Sequence, residues 1–512
     1  MPSREVPVVT MSRVESFVLQ GIDAVPCEIE VDLCTSGLSG MAMVGLPDTA
    51  VRESIERVKT AIRTCGYRYP WRKATICLAP GDLRKEGPVF DLPISIAILA
   101  ADGAIPASGP PIGSFLFAGE LALDGRLRPV RGAVSLAMLA KGLGRTGVVL
   151  PKANAVEAAA VGGIEVHGFE RLDEVVGFLA GASATPTPEV DADRLLAAGG
   201  ASIDCSEIRG QEAAKRAMTI AAAGGHNLLL IGPAGAGKTM MARALPGLLP
   251  PMAREEALEV TRIHSCAGLL GEGRSLVCTR PVRCPHHTAS TAAIVGGGRV
   301  PRPGEVSLAH HGVLFLDELP EFSRGVLESL REPLEDGVVT IARAHGATTF
   351  PARVLLVAAM NPTHRGNRAA GEAGAREQER YVGRISGPLI DRIDLHVEVS
   401  AVPFERLADR TAERSTAELR RKVDAARRHA ARRGDGTVNA RLRSRALDEA
   451  CPLDAASRRL LGEAMEQFGL SARAFDKIRR IARTIADLEE TEVPTIEHVA
   501  EAVSYRVLDR TM

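Results

Sequence analysis

Aromatic residues make up only 3% of the 512 residues. That is too few for a surface on which successive bases stack, so a stacking platform is excluded as the main mode of binding. Net charge is also missing. The 63 Lys and Arg balance the 63 Asp and Glu, and any affinity for nucleic acid has to come from local patches. No apolar run approaches the ~20 residues that a membrane span needs. The N-terminus has no basic-then-apolar leader, so the expected location is cytoplasmic, with no membrane partner. The nine cysteines are scattered and odd in number, which fits reduced thiols. What is present is ordinary for a globular protein, 45% hydrophobic and 25% charged. The chain is too long for one core, so two to four domains are expected.

The most specific stretch is 227–239. Leu228-Leu229-Leu230-Ile231 reads as a buried strand, and Gly232-Pro233-Ala234-Gly235-Ala236-Gly237-Lys238-Thr239 follows with the full GxxxxGK[ST] spacing. The residues after Thr239 look helical. Strand, glycine loop and helix together make a phosphate cradle: backbone N–H groups approach the phosphate oxygens, and the helix start adds partial positive charge. The expected ligand is ATP with Mg²⁺. Lys238 is placed on the β- and γ-phosphates and the Thr239 hydroxyl on Mg²⁺.

Two further strand ends belong with this loop. Val313-Leu314-Phe315-Leu316 runs into Asp317 and Glu318, about 80 residues after the glycine loop. This is the Walker B pattern, in which Asp317 holds Mg²⁺ through water and Glu318 polarises the attacking water as general base. The apolar run 355–360 ends at Asn361-Pro362, which fits a sensor-1 amide that orients the water. The segment Ile208-Arg209-Gly210-Gln211-Glu212-Ala213-Ala214-Lys215 resembles the one that sits beside the adenine in AAA+ ATPases. Asp391-Arg392 resembles the arginine-finger position of the MCM and magnesium-chelatase branch of that class. An arginine supplied to a neighbouring subunit implies a ring; the alternative is a surface salt bridge to Asp391 or Asp394.

The first 180 residues alternate strands (13–19, 27–33, 73–78, 115–120) with helices (49–64, 90–101, 133–141), an α/β domain of ordinary size. Gly87-Pro88-Val89-Phe90-Asp91-Leu92-Pro93-Ile94, Ala118-Gly119-Glu120-Leu121 and Gly125-Arg126-Leu127-Arg128-Pro129-Val130 resemble the Lon-protease-type domain, which implies a ribosomal-S5-domain-2-like fold. Lon proteases place a serine after the Gly-Pro and a lysine in the later helix. Here Val89-Phe90-Asp91 fills the serine region, and Arg131-Gly132-Ala133-Val134 offers no lysine. Peptide hydrolysis then has no nucleophile and no base. The domain reads as a non-proteolytic relative for assembly or partner binding.

Residues 183–202 are rich in Ala, Gly, Pro, Ser and Thr and read as a linker. Downstream of the glycine loop, Gly296-Gly297-Gly298-Arg299-Val300-Pro301-Arg302-Pro303-Gly304-Glu305 resembles the helix-2 insert of ring helicases. The stretch 338–350, turning at Ala344-His345-Gly346, resembles their pre-sensor-1 hairpin. Arg299, Arg302, Arg343 and His345 are accordingly candidates for contact with DNA phosphates, against the alternative of a solvated charged loop. Cys278, Cys284, His286 and His287 match no standard zinc spacing. Residues 404–445 carry thirteen Lys and Arg against six Asp and Glu, either a DNA-facing patch or a solvated helix. The C-terminal stretch is helical: 454–468 ending at Gly469, a helix capped by Ser471 with Phe475, Ile478, Ala482 and Ile485 on one face, and a last helix from Thr495 to Leu508. Ser471-Ala472-Arg473-Ala474-Phe475 resembles the sensor-2 motif and places Arg473 on the γ-phosphate.

Taken together with Pro285-His286-His287, Arg302-Pro303-Gly304-Glu305-Val306-Ser307-Leu308-Ala309-His310 and the ending Tyr505-Arg506-Val507-Leu508-Asp509-Arg510, the chain resembles the bacterial YifB/ComM family over nearly its whole length. The resemblance implies a Lon-protease-like N-terminal domain (1–182), a linker (183–202), an AAA+ αβα core (203–402) and a helical region with a C-terminal lid (403–512). It implies a homo-hexameric DNA motor acting on single-stranded or branched DNA, promoting branch migration when incoming DNA recombines in natural transformation. The family commonly carries four cysteines just after the sensor-1 Asn-Pro; residues 363–379 contain none. A chelatase-type ATPase that remodels a protein partner is the competing reading. An ATP-dependent protease is the third, which the missing serine and lysine oppose.

Overall fold

The computed structural model describes residues 10–34, 40–70, 73–182, 185–199, 203–271, 273–343, 346–362, 381, 383–402, 413–434 and 436–506. The chain folds as two compact units. Unit 1 is Met1–Leu195 with Arg254–Val277; unit 2 is Leu196–Ala253 with Cys278–Met512.

In unit 1, β1 (Thr10–Gln20) turns back on β2 (Asp23–Cys34) through Gly21 and Ile22, with Gly21 at φ +71°. A two-residue hairpin loop needs that left-handed conformation, and glycine adopts it without strain. Along β2, Cys27, Ile29, Val31 and Leu33 are buried while Glu28, Glu30 and Asp32 between them are half-exposed. A one-residue slip would turn the whole apolar set outward, so the pattern fixes the register. The strands β3 (Met41–Val44), β4 (Lys73–Ala79), β5 (Phe115–Phe117), β8 (Gly147–Pro151) and β9 (Glu165–Phe169) complete a mixed seven-stranded sheet of order β3-β4-β2-β1-β5-β8-β9. A small hairpin of β6 (Glu120–Leu121) and β7 (Leu127–Arg128) lies beside it in sequence. Asp48 caps the helix Thr49–Thr64, accepting from Val51 N at 2.8 Å. The helix Asp91–Ala101 is buried on nearly every side, as its largely apolar sequence requires. Asp91 at its start accepts two bonds from Arg57 (2.8 and 3.0 Å) and one from Leu121 N (3.1 Å).

The structure differs from the sequence reading on two segments of this unit. The expected linker contains a short helix, Ala192–Ala198, started by Asp191, which accepts from Arg194 N. Before it, Thr187 accepts from Val166 N at 2.9 Å, holding 185–187 along β9. The second difference is larger. Helix Arg254–Ala267, which follows the glycine-loop helix in sequence and reads as part of the ATPase core, folds with unit 1. Leu258, Arg262, Ser265 and Cys266 share one helical face. Leu258 packs on the cluster of Phe17, Leu116 and Val148. Arg262 donates to Ile22 O and Ser135 Oγ, both at 3.1 Å, and pairs with Asp23. Periodicity alone cannot say which of two cores an amphipathic helix joins.

Unit 2 is built on a five-stranded parallel sheet of order β11-β14-β17-β10-β18: β10 (Leu228–Ile231), β11 (Val282–Arg283), β14 (Val313–Leu316), β17 (Leu355–Met360) and β18 (Leu395–Glu398). Every residue of β10, β14 and β17 is buried, which explains why they read as continuous apolar runs rather than alternating ones. Two hairpins leave this sheet. One pairs β12 (Gly296–Gly297) with β13 (Arg302–Pro303), the other β15 (Val338–Arg343) with β16 (Gly346–Pro351).

The helices Thr416–Ala431, Ser444–Ala450, Ala455–Phe468, Ala472–Leu488 and Ile496–Ser504 follow. Ser415, Asp454 and Ser471 each cap a helix as their positions imply, and Gly469 ends one at φ +61°. Ile478, Ala482 and Ile485 are buried, and Phe475 packs at their margin. The last helix stops at Ser504, short of the expected Leu508, which lies outside the described residues; Arg506 is fully buried and donates to Ile393 O at 2.7 Å. Among the described residues no helix is long and apolar enough to cross a membrane.

Candidate active site

In an open parallel sheet, ligands bind beyond the carboxyl ends of the strands where the strand order reverses. Here β10 lies between β17 and β18, and the glycine loop leaves its carboxyl end. Gly232 follows β10 so closely against β18 that a Cβ there would fall 2.1 Å from Val399 O. Gly235 and Gly237 take φ +79° and +88°, conformations that L side chains rarely adopt. Lys238 then opens the helix Lys238–Leu248.

The three strand ends meet around Lys238. Its ammonium donates to Gly232 O at 2.5 Å, Pro233 O at 2.9 Å and Asn361 Oδ1 at 3.1 Å. Asn361 stands directly after β17, so the lysine spans from the loop to the neighbouring strand. Burial pushes the Lys238 ammonium below its ordinary value, against the pull of the Asp317 and Glu318 carboxylates. From β14, Asp317 brings Oδ2 to 3.3 Å from the Thr239 hydroxyl. Its other oxygen accepts from Glu318 N at 3.0 Å. Glu318 itself is in the left-handed region at φ +52°, which is strained for a residue with a Cβ and is typical of functional sites. Its Oε2 lies 3.3 Å from His287 Nδ1. Gln211 closes the arrangement behind the loop, donating to Ser400 O at 2.7 Å and Ala236 O at 3.5 Å.

The sequence readings of Lys238, Thr239, Asp317, Glu318 and Asn361 are thus brought into one site. Arg392 and Arg473 are not tied to it. Arg392 donates to Pro388 O at 2.5 Å and pairs with Glu335, rather than with Asp391 or Asp394; Asp394 pairs with Lys477 at 2.9 Å instead. Arg473 is exposed in the first turn of its helix, and no hydrogen bond or ion pair joins it to the glycine loop among the described residues. Arg299, Arg302 and Arg343 are exposed. The two hairpins that carry them lie together: Ile341 and Arg343 come close to Gly296 and Gly297 respectively. His345 lies outside the described residues, as does the segment 363–379 where the family commonly has its cysteines. Within the basic stretch, Arg427 turns inward onto Ala222 O, at 2.7 Å, while Arg421, Lys422, Arg428 and Arg432 face solvent.

Three contributors were not legible as site residues. The sequence offers His287 as a candidate metal ligand and as part of Pro285-His286-His287, whereas it meets Glu318, and His286 turns instead to Thr288 Oγ1 at 2.8 Å. Gln211 gave no signal beyond its place in a resembling segment. Arg243, one turn beyond Thr239 on the same helix face, lines a groove of about 450 Å³ with Val282, Arg283, Cys284, Pro285 and Glu305.

A parallel sheet with a glycine loop closing on a lysine, a threonine, an acidic pair and a strand-end asparagine defines a P-loop nucleotide-binding protein of AAA+ type. Comparison with known proteins narrows this. The family model "Magnesium chelatase, subunit ChlI" matches residues 204–407, "Subunit ChlI of Mg-chelatase" matches 29–154, and "Magnesium chelatase, subunit ChlI C-terminal" matches 413–506. The protein YifB of Salmonella typhimurium is 43% identical over 96% of this chain and 96% of its own length. The competence protein ComM of Haemophilus influenzae is 42% identical over 98% and 99%. A magnesium-chelatase 67 kDa subunit of Heliobacterium mobile is 27% identical over 38% of this chain and 31% of its own length. The chain belongs to the YifB/ComM family of magnesium-chelatase-like AAA+ ATPases.

Proposed function

We propose that the chain is an Mg²⁺-dependent ATP hydrolase that works as a ring-shaped motor on single-stranded or branched DNA, promoting helicase-type branch migration during recombination of incoming DNA. The observation that carries the hydrolase is the convergence of Lys238, Asn361, Thr239, Asp317 and Glu318 at the ends of β10, β14 and β17. Thr239 Oγ1 and Asp317 Oδ2, 3.3 Å apart, are hard oxygen donors that fit a Mg²⁺ ion keeping most of its waters and phosphate ligands. The ion supplies charge neutralisation on the phosphates. Glu318 accepts the proton of the attacking water, Lys238 leaves its loop carbonyls for the phosphates, and Asn361 orients the water.

One feature supports the ring. Arg392 makes its contacts away from its own glycine loop, as a residue serving a neighbouring subunit does, and a hexamer of identical chains closes such head-to-tail contacts. DNA as the substrate is supported by the clustering of Arg299, Arg302 and Arg343 on two adjacent hairpins, and by the name of the ComM relative, a competence protein. The C-terminal helices act as the lid, with Arg473 reaching the γ-phosphate when it closes. Unit 1 is a Lon-like domain without protease chemistry. Remodelling of a protein partner is the second reading, favoured by the magnesium-chelatase models that match all three segments.

The test is steady-state ATP hydrolysis without DNA and with single strands, duplex and a four-way junction, at moderate salt, with Glu318→Gln as control. DNA stimulation that vanishes in the variant supports the motor. A rate indifferent to every DNA removes the motor and leaves the protein-remodelling reading.

A further inference from the structure

The helix Thr416–Ala431 carries two kinds of arginine. Its inward face, with Leu419, Val423 and Ala426, is buried in the core of unit 2. Arginines on that side find acceptors. Arg427 gives Ala222 O two bonds, at 3.1 and 2.7 Å, and Arg433, just beyond the helix, meets Asp487 at 2.7 Å. Arg421, Arg428 and Arg432 point the other way and are exposed. At ~3.6 residues per turn, their spacing brings the three within about 20° of one line, which at ~1.5 Å per residue runs for roughly 16 Å. Lys422 is exposed beside it.

None of these four side chains meets a carboxylate among the described residues; Arg421 makes one long bond, from Nε to Ala417 O at 3.4 Å. Elsewhere on the helical region an exposed arginine is neutralised within its own helix. Arg445 meets Glu449 at 2.7 Å and Arg459 meets Glu463 at 2.8 Å. On Thr416–Ala431 the carboxylates are engaged already. Glu418 accepts from Ser415 N at 3.0 Å, and Asp424 turns to Arg420 at 3.8 Å. The positions four residues after Arg421 and Arg428 hold Ala425 and Arg432, and two arginines at that spacing repel each other. The helix dipole favours a cation at Arg428 and Arg432, in and after the last turn, but its effect does not reach Arg421 and Lys422 in the middle of the helix. The fold itself leaves this row of charge without a counter-charge.

A nucleic-acid backbone is the complementary object, a regular row of negative charge that arginines meet without reading bases. The chain as a whole has no net charge, so the row is a local site and not part of a general basic field. We propose that Arg421, Arg428 and Arg432, with Lys422 at their side, are a second DNA contact that binds the phosphate backbone along the outer face of this helix, independently of sequence. The assignment rests on the DNA reading above and adds a surface on the helical region to the two hairpins. The same helix packs against Lys238–Leu248, the helix that Lys238 opens, so DNA held there bears on the element that grips the phosphates of ATP.

Filter-binding titrations over a range of salt compare the full chain with two triple variants, each against two single strands of unlike sequence. One variant combines Arg421→Ala, Arg428→Ala and Arg432→Ala; the other has lysine at the same positions. The alanine triple should reduce the slope of log affinity against log salt by roughly 2–3 and weaken both strands by the same factor. The lysine triple keeps the charge and should keep the slope. ATP turnover without DNA should stay within twofold, and the thermal midpoint should not fall, because a repulsion has been removed. If it does fall, the glutamine triple, which keeps the stems, carries the same expectation. An unchanged slope in the alanine triple, while the unmodified protein binds DNA, overturns the assignment. So does a loss confined to one sequence, or an equal loss in the lysine triple. An unmodified protein that binds neither strand at any salt refutes the DNA reading itself, and this contact with it.

Discussion

Lys477→Met should destabilise unit 2 by stranding a buried carboxylate. Lys477 Nζ lies 2.9 Å from Asp394 Oδ1, with the two side chains only 11% and 12% exposed. Among the described residues the remaining partners of Asp394 are Asn227 N, at 2.9 Å from Oδ2, and His226 Nδ1, at 3.8 Å. Burial alone would raise the Asp394 carboxyl, but Lys477 and then His226 outweigh it and hold the group well below the usual carboxylate range. Methionine keeps the length of the side chain and removes the charge, leaving a buried carboxylate with one backbone donor and a distant imidazole. Breaking one partner of such a pair costs ~3–5 kcal/mol. With a urea slope of about 3 kcal/mol per molar, the midpoint should fall by roughly 1 M or more. Adding Asp394→Asn removes the stranded charge and should restore ~1–3 kcal/mol.

The sign with pH follows from the depressed Asp394 value. Its contribution is fully present above the ordinary carboxylate pKa of ~3.9 and is lost as pH falls through the lower folded value. In Lys477→Met the buried carboxyl protonates more readily, so the gap between variant and parent should narrow as pH falls toward that range. The assay is urea unfolding followed by far-UV circular dichroism, reading the transition that the substitution moves. A loss under about 1 kcal/mol, or the same loss with and without Asp394→Asn, would show that the two charges are not coupled and that the reasoning is wrong.

The site makes three further predictions. Glu318→Gln should lower kcat by roughly 10²- to 10⁴-fold while ATP still binds, whereas Lys238→Ala should lose ATP binding itself; equilibrium binding of a fluorescent analogue separates the two. Arg392→Ala and Glu318→Gln chains, each inactive alone, should regain part of the turnover when mixed, because a mixed ring contains interfaces with an intact glutamate and an intact arginine; mixtures that stay inactive refute an arginine acting across subunits. Replacing Arg299, Arg302 and Arg343 together by alanine should reduce the slope of log affinity for DNA against log salt by roughly 2–3, and an unchanged slope in a filter-binding titration removes them from the DNA contact.

The glycine loop, the acidic pair and Asn361 were legible because their chemistry is local: the spacing of Gly232, Gly235 and Gly237 dictates a backbone path, and an apolar run ending in Asp-Glu has few other uses. What was hidden depends on pairings distant in sequence. His287 becomes part of the site only through the register of β11 on β14, which no local pattern encodes. Arg392 and Asp394 are two residues apart and read as partners, yet each turns to a different element, Glu335 and Lys477. The helix Arg254–Ala267 shows the same limit at the scale of a domain. Its apolar spacing announces a helix, but its destination is set by complementary groups far upstream: Ile22 O and Asp23 at the β1–β2 turn, and Ser135, all meet the Arg262 guanidinium. Unit 1 is therefore not the contiguous N-terminal stretch. It includes a segment that leaves unit 2 just after the glycine-loop helix and returns to it just before β11, the two elements that carry Lys238 and lead to His287. The two units are thus joined through the chain at three points, 195–196, 253–254 and 277–278, where a tether at 183–202 alone would give one.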